Sequence, residues 1–126
     1  MVIGIGIDII EIDRIQKSID EYGDSFLNKI FTETELDYSL PKKNKYQHLA
    51  ARFAAKEAIF KALSSEEAAV NSWKEIEVYN ESNGLPRVKL NGSLKDYLGK
   101  DKEIKLSMSH SNNYVACVAI LIKKNS

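Results

Sequence analysis

The sequence predicts an α+β domain built on a largely antiparallel sheet with one long packed helix. Three observations predict it. Strand-like runs stand at both ends of the chain, residues 2–10 and 104–122. Helical segments fill much of the interval between them. Short turn signals join successive strands late in the sequence. The 126 residues fit one domain over 1–126, long enough to fold without a disulfide or metal staple.

Residues 2–10 alternate with a period of two. Ile3, Ile5, Ile7 and Ile9 fall on one face, and Val2, Gly4, Gly6, Asp8 and Ile10 on the other. One or two short helices follow over 12–30, broken near Gly23. Thr32 and Glu35 have capping-box spacing and predict a helix start. PKKNK, 41–45, reads as a loop, and 46–63 as the long helix. EIEVYN, 75–80, and RVKLN, 87–91, read as paired strands across the Ser82-Asn83-Gly84 turn. Both prolines, Pro41 and Pro86, are placed in loops. A short helix is expected over 92–99, with Gly99 near its end. IKLSMSH and YVACVAILI form the last two strands. Ser111-Asn112-Asn113 suits the tight turn between them, because Asn tolerates positive φ.

Lys+Arg and Asp+Glu are both 18, so the formal charge is zero. A dedicated nucleic-acid binder would carry a basic excess, and that class is set aside. Steering must then come from local patches. The single cysteine, Cys117, makes no intrachain disulfide and reads as a small buried hydrophobe in a reduced, intracellular setting. The apolar N-terminus lacks a basic leader and carries Asp8 and Glu11, so it does not read as a signal peptide. No stretch approaches the ~20 apolar residues of a membrane span. The reading is a cytoplasmic protein without a membrane or nucleic-acid partner.

RFAAKEAIFKAL, 52–63, sets charges among apolar residues. At 100° per residue, Ala50, Ala54, Glu57 and Lys61 share one stripe, whereas Arg52 and Lys56 lie near Ile59 and Leu63. Glu57 and Lys61 are either a solvated i,i+4 pair or a carboxylate and an ammonium projecting into a site. Asp8 stands mid-strand, where Asp is disfavoured, on the face of Gly4 and Gly6. A bulge, sheet packing or an edge position explains these residues as well as a ligand does. His110 ends a strand among Ser107, Ser109 and Ser111, which is either a surface turn or a holder of phosphate oxygens. His48 carries no signal. Two carboxylates without a Cys/His cluster favour a hard cation such as Mg²⁺, which fills its shell with water and phosphate.

GIGIDIIEIDRI at 4–15, RFAAKEAIFKAL at 52–63 and SMSHSNNYVA at 107–116 together resemble the holo-acyl-carrier-protein synthase family of 4′-phosphopantetheinyl transferases. NESNGLPRV, 80–88, resembles that family's NGxP turn. The resemblance covers essentially the whole chain and implies the 4′-phosphopantetheinyl transferase fold. It implies an enzyme that moves phosphopantetheine from coenzyme A to a serine of apo-acyl carrier protein, releasing adenosine 3′,5′-bisphosphate. It also implies Asp8 and Glu57 as Mg²⁺ ligands and Lys61 beside the pyrophosphate. His110 would contact coenzyme A phosphates, and Arg52, Gly84 and Pro86 would line the nucleotide pocket. By the same resemblance the protein is a homotrimer with sites between subunits, and its usual client serves fatty-acid synthesis. Arg14 and Lys17 match a basic face for the carrier, although Asp20, Glu21 and Asp24 weaken that patch. Two readings from other classes compete: a non-catalytic module binding coenzyme A or carrier protein, and a structural protein in which Asp8 and Glu57 stand far apart.

Overall fold

The protein is described by a computed structural model over residues 1–64 and 71–124. Its elements run β1 (Val2–Glu11), α1 (Ile12–Tyr22), α2 (Asp24–Ile30), α3 (Glu33–Ser39) and α4 (Lys45–Leu63). A 3-10 turn (Trp73–Glu75), β2 (Ile76–Asn80), β3 (Pro86–Leu90), α5 (Gly92–Leu98), β4 (Lys102–His110) and β5 (Tyr114–Lys123) follow.

Every strand pairing among the described residues is antiparallel, but the strands form two sheets rather than one: β1-β5-β4, and the hairpin β2-β3. Three local expectations change. Pro86 is not in a loop: it opens β3 opposite Asn80, at a strand's first position, where a missing N–H is tolerated. The β4–β5 turn forms without positive φ at Asn112 or Asn113. Instead the Ser111 hydroxyl oxygen accepts from the Tyr114 N–H at 3.2 Å, and the Ser111 N–H donates to the Tyr114 carbonyl at 2.9 Å. Lys45 belongs to α4 rather than to the preceding loop.

α4 lies across β1 and β5. Alanines form the contact: Ala50, Ala54, Ala58 and Ala62 are all buried. Gly4 and Gly6 face them. A Cβ on Gly6 would collide with the Ala58 carbonyl, and one on Gly4 with the Ala62 carbonyl. The glycines therefore admit a helix backbone, which is the sheet-packing explanation and not the ligand one. Gly6→Ala should cost about 3 kcal/mol, the upper end for an overpacked core. Urea unfolding of the variant checks this, and a change below about 1 kcal/mol would mean that helix and sheet separate easily.

α4 is buried on nearly all sides, including Arg52 and Lys56. Lys56 has no solvent exposure, and neither has its partner Glu35, whose Oε1 lies 2.7 Å from Lys56 Nζ. The ammonium also donates to the carbonyls of Ile30 (2.8 Å) and Trp73 (3.1 Å). Glu35 closes the capping box on Thr32, accepting its N–H at 2.8 Å, and takes the Val78 N–H at 2.8 Å. Burial draws the Lys56 ammonium below its usual value, and the Glu35 charge opposes that shift. This network ties α2, α3, α4, the 3-10 turn and β2 together.

On the opposite face of the three-stranded sheet, the β1 and β5 side is apolar and open, whereas β4 contributes Lys105, Ser107 and Ser109. Ile5, Ile7 and Ile9 are 65%, 65% and 66% exposed. They pair across with Ile120, Val118 and Ala116 of β5.

Candidate active site

Asp8 reaches its position because β1 pairs with β5 in a register that sets it opposite Cys117, on the face turned toward α4. Glu57 comes from α4. Both carboxylates line a cleft of about 250 Å³ together with Arg14, Ser18, Phe26 and Phe53. Lys61 turns to Asp8 instead of making an i,i+4 pair with Glu57. Its ammonium donates to Asp8 Oδ1 at 3.2 Å and to the Ile7 carbonyl at 2.9 Å. A fixed tertiary partner wins because a pair on one helix is worth only ~0.2–0.5 kcal/mol.

Glu57 binds its proton more tightly than an ordinary glutamate. Partial burial is the main cause, the Asp8 charge adds to it, and Lys61 opposes it. A glutamate whose ionisation is opposed by a neighbouring carboxylate has the chemistry of a hard-cation site. Among the described residues no cluster of three or more His, Cys, Asp or Glu is assembled. Two carboxylates still suit Mg²⁺, which keeps water and substrate oxygens in most of its shell. Cys117 takes no part: burial, then the Asp8 charge, push its thiol up to about 12, far from a reactive thiolate.

A second cleft of about 450 Å³ lies between α4, the β2–β3 turn and β4. Arg52, Gly84, Pro86 and His110 all line it. Arg52 Nη2 donates to Asn80 Oδ1 at 2.7 Å, and Asn80 Nδ2 donates to the Gly84 carbonyl at 3.1 Å. Asn80 thus couples the helix to the turn, where Gly84 has φ 87°. The Arg52 guanidinium lies 4.5 Å from the centre of the Tyr38 ring. Burial lowers the proton affinity of Arg52, with Glu35 and Tyr38 opposing the shift. Lys61 lines neither cleft; it reaches the site through Asp8.

The structure thus brings Asp8, Glu57 and Lys61 to one place and Arg52, Gly84, Pro86 and His110 to another. Sequence reasoning missed Asn80 and His48, which line the second cleft as well. Asn80 was legible in the NESNGLPRV motif, but its bond to Arg52 was not.

The 4′-phosphopantetheinyl transferase superfamily matches residues 4–119 of this sequence. The chain belongs to that superfamily. A holo-[acyl-carrier-protein] synthase of Chlamydia trachomatis serovar L2 is 53% identical over 117 residues, 93% of this chain and 97% of its own length. The crystal structure of a holo-[acyl-carrier-protein] synthase from Neisseria meningitidis aligns with TM-score 0.86 at 29% identity, over 98% of this chain and 100% of that one. The synthase from Bacillus anthracis, solved in complex with CoA (3′,5′-ADP), aligns with TM-score 0.79 at 33% identity, over 99% of both chains. This phosphopantetheinyl transferase shares the α+β fold of those enzymes. No helix among its described residues is long and apolar enough to cross a membrane.

Proposed function

We propose that this transferase moves the 4′-phosphopantetheine arm of coenzyme A onto a serine of apo-acyl carrier protein, releasing adenosine 3′,5′-bisphosphate. One observation carries the reading: Asp8 from the first strand and Glu57 from the long helix line a single cleft, with Lys61 anchored on Asp8. The structural-protein alternative requires these carboxylates far apart.

The chemistry needs positioning and charge neutralisation more than covalent catalysis. The serine oxygen attacks the phosphorus that carries the pantetheine. The bond from that phosphorus to the bridging oxygen breaks, and the nucleotide leaves with that oxygen. Asp8 and Glu57 would hold Mg²⁺, which when bound supplies Lewis-acid neutralisation of the pyrophosphate. Lys61 places a positive charge beside the leaving oxygens. Glu57 accepts the serine proton directly or through water, a role favoured by its tightened proton affinity and by Lys61 engaging Asp8. Arg52 and His110 orient the nucleotide end in the second cleft, against the Gly84–Pro86 turn. Arg14 and Lys17 serve the acidic carrier, with Arg14 among the residues that line the carboxylate cleft.

The reading extends to one domain over the chain, a cytoplasmic location, a client in fatty-acid synthesis and a homotrimer with sites between subunits. The bare Ile5, Ile7 and Ile9 face supports the trimer, because such apolar patches usually meet a partner. Ile7→Asp should convert the assembled form to monomer in sedimentation velocity; a wild type that sediments as monomer overturns the trimer.

Intact-mass spectrometry of an apo-acyl carrier protein, incubated with the chain, coenzyme A and Mg²⁺, tests the reaction. The expected result is a gain of one phosphopantetheine on serine that EDTA abolishes. Coenzyme A binding without modification of any of several carrier proteins would leave a binding module instead.

A further inference from the structure

His48 has no role in the reading above, yet it lines the second cleft beside Arg52 and across from His110. Its ring is held in place. Tyr38 meets it edge-on, with centroids 5.5 Å apart and planes at 85°. The same tyrosine carries Arg52 on its face, and Lys42 Nζ lies 4.6 Å from its centre. Tyr38 from α3, Lys42 from the loop before α4, Arg52 from α4 and His110 from β4 therefore surround this imidazole. Arg52 Nε is buried with no hydrogen-bond partner in the protein, so the cleft wall holds donor capacity that the fold leaves unused.

We propose that His48 is a phosphate-binding residue of the coenzyme A cleft, and that it takes up a proton as the ligand binds. The proposal rests on the reading of that cleft as the coenzyme A site. Without ligand, the surroundings of His48 favour the neutral ring. Burial lowers its proton affinity most, and Arg52, Lys42 and His110 lower it further. Its charged neighbours Arg52 and Lys42 are both cations. A phosphate ester brings negative charge into that cationic collar and reverses the field at the ring. The proton then comes from solvent, and the imidazolium donates an N–H to a phosphate oxygen. Affinity for coenzyme A thereby becomes linked to pH through this side chain. Binding is favoured as pH falls through the range where the free imidazole is neutral and the bound one is charged.

Calorimetric titration of the full chain with coenzyme A, in buffers of different ionisation enthalpy, counts the protons taken up. His48→Phe keeps an aromatic ring against Tyr38 but cannot be protonated. Its expected behaviour is binding about tenfold weaker than wild type near pH 6, a gap closing to about twofold near pH 8.5, with reduced proton uptake. His48→Gln carries the same test with a polar side chain should the phenylalanine variant not fold. Variants at position 48 that match wild type in affinity and proton uptake at both pH values overturn the proposal, while the coenzyme A site stands. A wild-type protein that binds no coenzyme A at either pH overturns both.

Discussion

Asp8→Asn and Glu57→Gln should each slow carrier-protein modification by at least about 100-fold, on the scale of lost electrostatic stabilisation at a reacting centre. Neither should unfold the protein, and Glu57→Gln should do the opposite. The proton affinity of Glu57 is raised in the fold, by burial first and then by Asp8. A carboxyl group with a raised folded value contributes stability below its unfolded pKa and loses it as pH rises through the folded value. At neutral pH the ionised Glu57 is therefore a burden, which the neutral amide removes. Thermal melts should show the variant at or above wild type at pH 7, with the difference vanishing toward about pH 4. A divalent cation at the site should reverse the order, stabilising wild type more than either variant. An inactive variant that melts far below wild type would assign the residue to the core instead of the chemistry.

The second large effect lies away from the clefts. Lys56→Met, or Glu35→Leu, should lower unfolding free energy by about 3–5 kcal/mol, the cost of stranding one charge of a fully buried pair. The double variant separates two accounts of this network. A simple buried pair is often replaced by apolar residues without loss. Here Lys56 also serves the Ile30 and Trp73 carbonyls, and Glu35 serves the Thr32 and Val78 amides. Removing both side chains leaves those backbone groups unserved, each at about 1–3 kcal/mol. The double variant should thus stay well below wild type in urea unfolding. Recovery to near wild-type stability would show that the charges alone govern the site.

Thr32 and Glu35 show where sequence reading reaches and where it stops. Their spacing announces a helix start, and both halves of the capping box are present. Spacing says nothing about which cap is buried, so the Lys56 link was invisible. Elements with strong local signals, such as the alternating isoleucines of β1, the break at Gly23 and the long helix, stand nearly where the sequence puts them. The helix projection grouped Glu57 with Lys61, because a wheel contains only one helix. Lys61 in fact chose Asp8, from a strand far away in sequence. Asp8 and Glu57 were singled out as residues out of place in their elements, and the resemblance joined them. The α+β class and the antiparallel pairing were legible, but the division into two sheets was not, because which hairpins share a sheet is decided by packing. His48 is the clearest omission, because its interest lies wholly in its neighbours.

The pairing of β1 with β5 also fixes an order of events. Asp8 lies in β1, the first of the described elements, and the strand that sets its register, β5, is the last of them. Contacts of such long sequence separation close late and slowly. The helices between can form while the chain is still emerging, but the cleft cannot. A chain that has not yet made β5 lacks the strand that aims this carboxylate. During that interval the isoleucines of β1 lack the β5 strand they pair with. The growing chain is most prone to aggregate in that window.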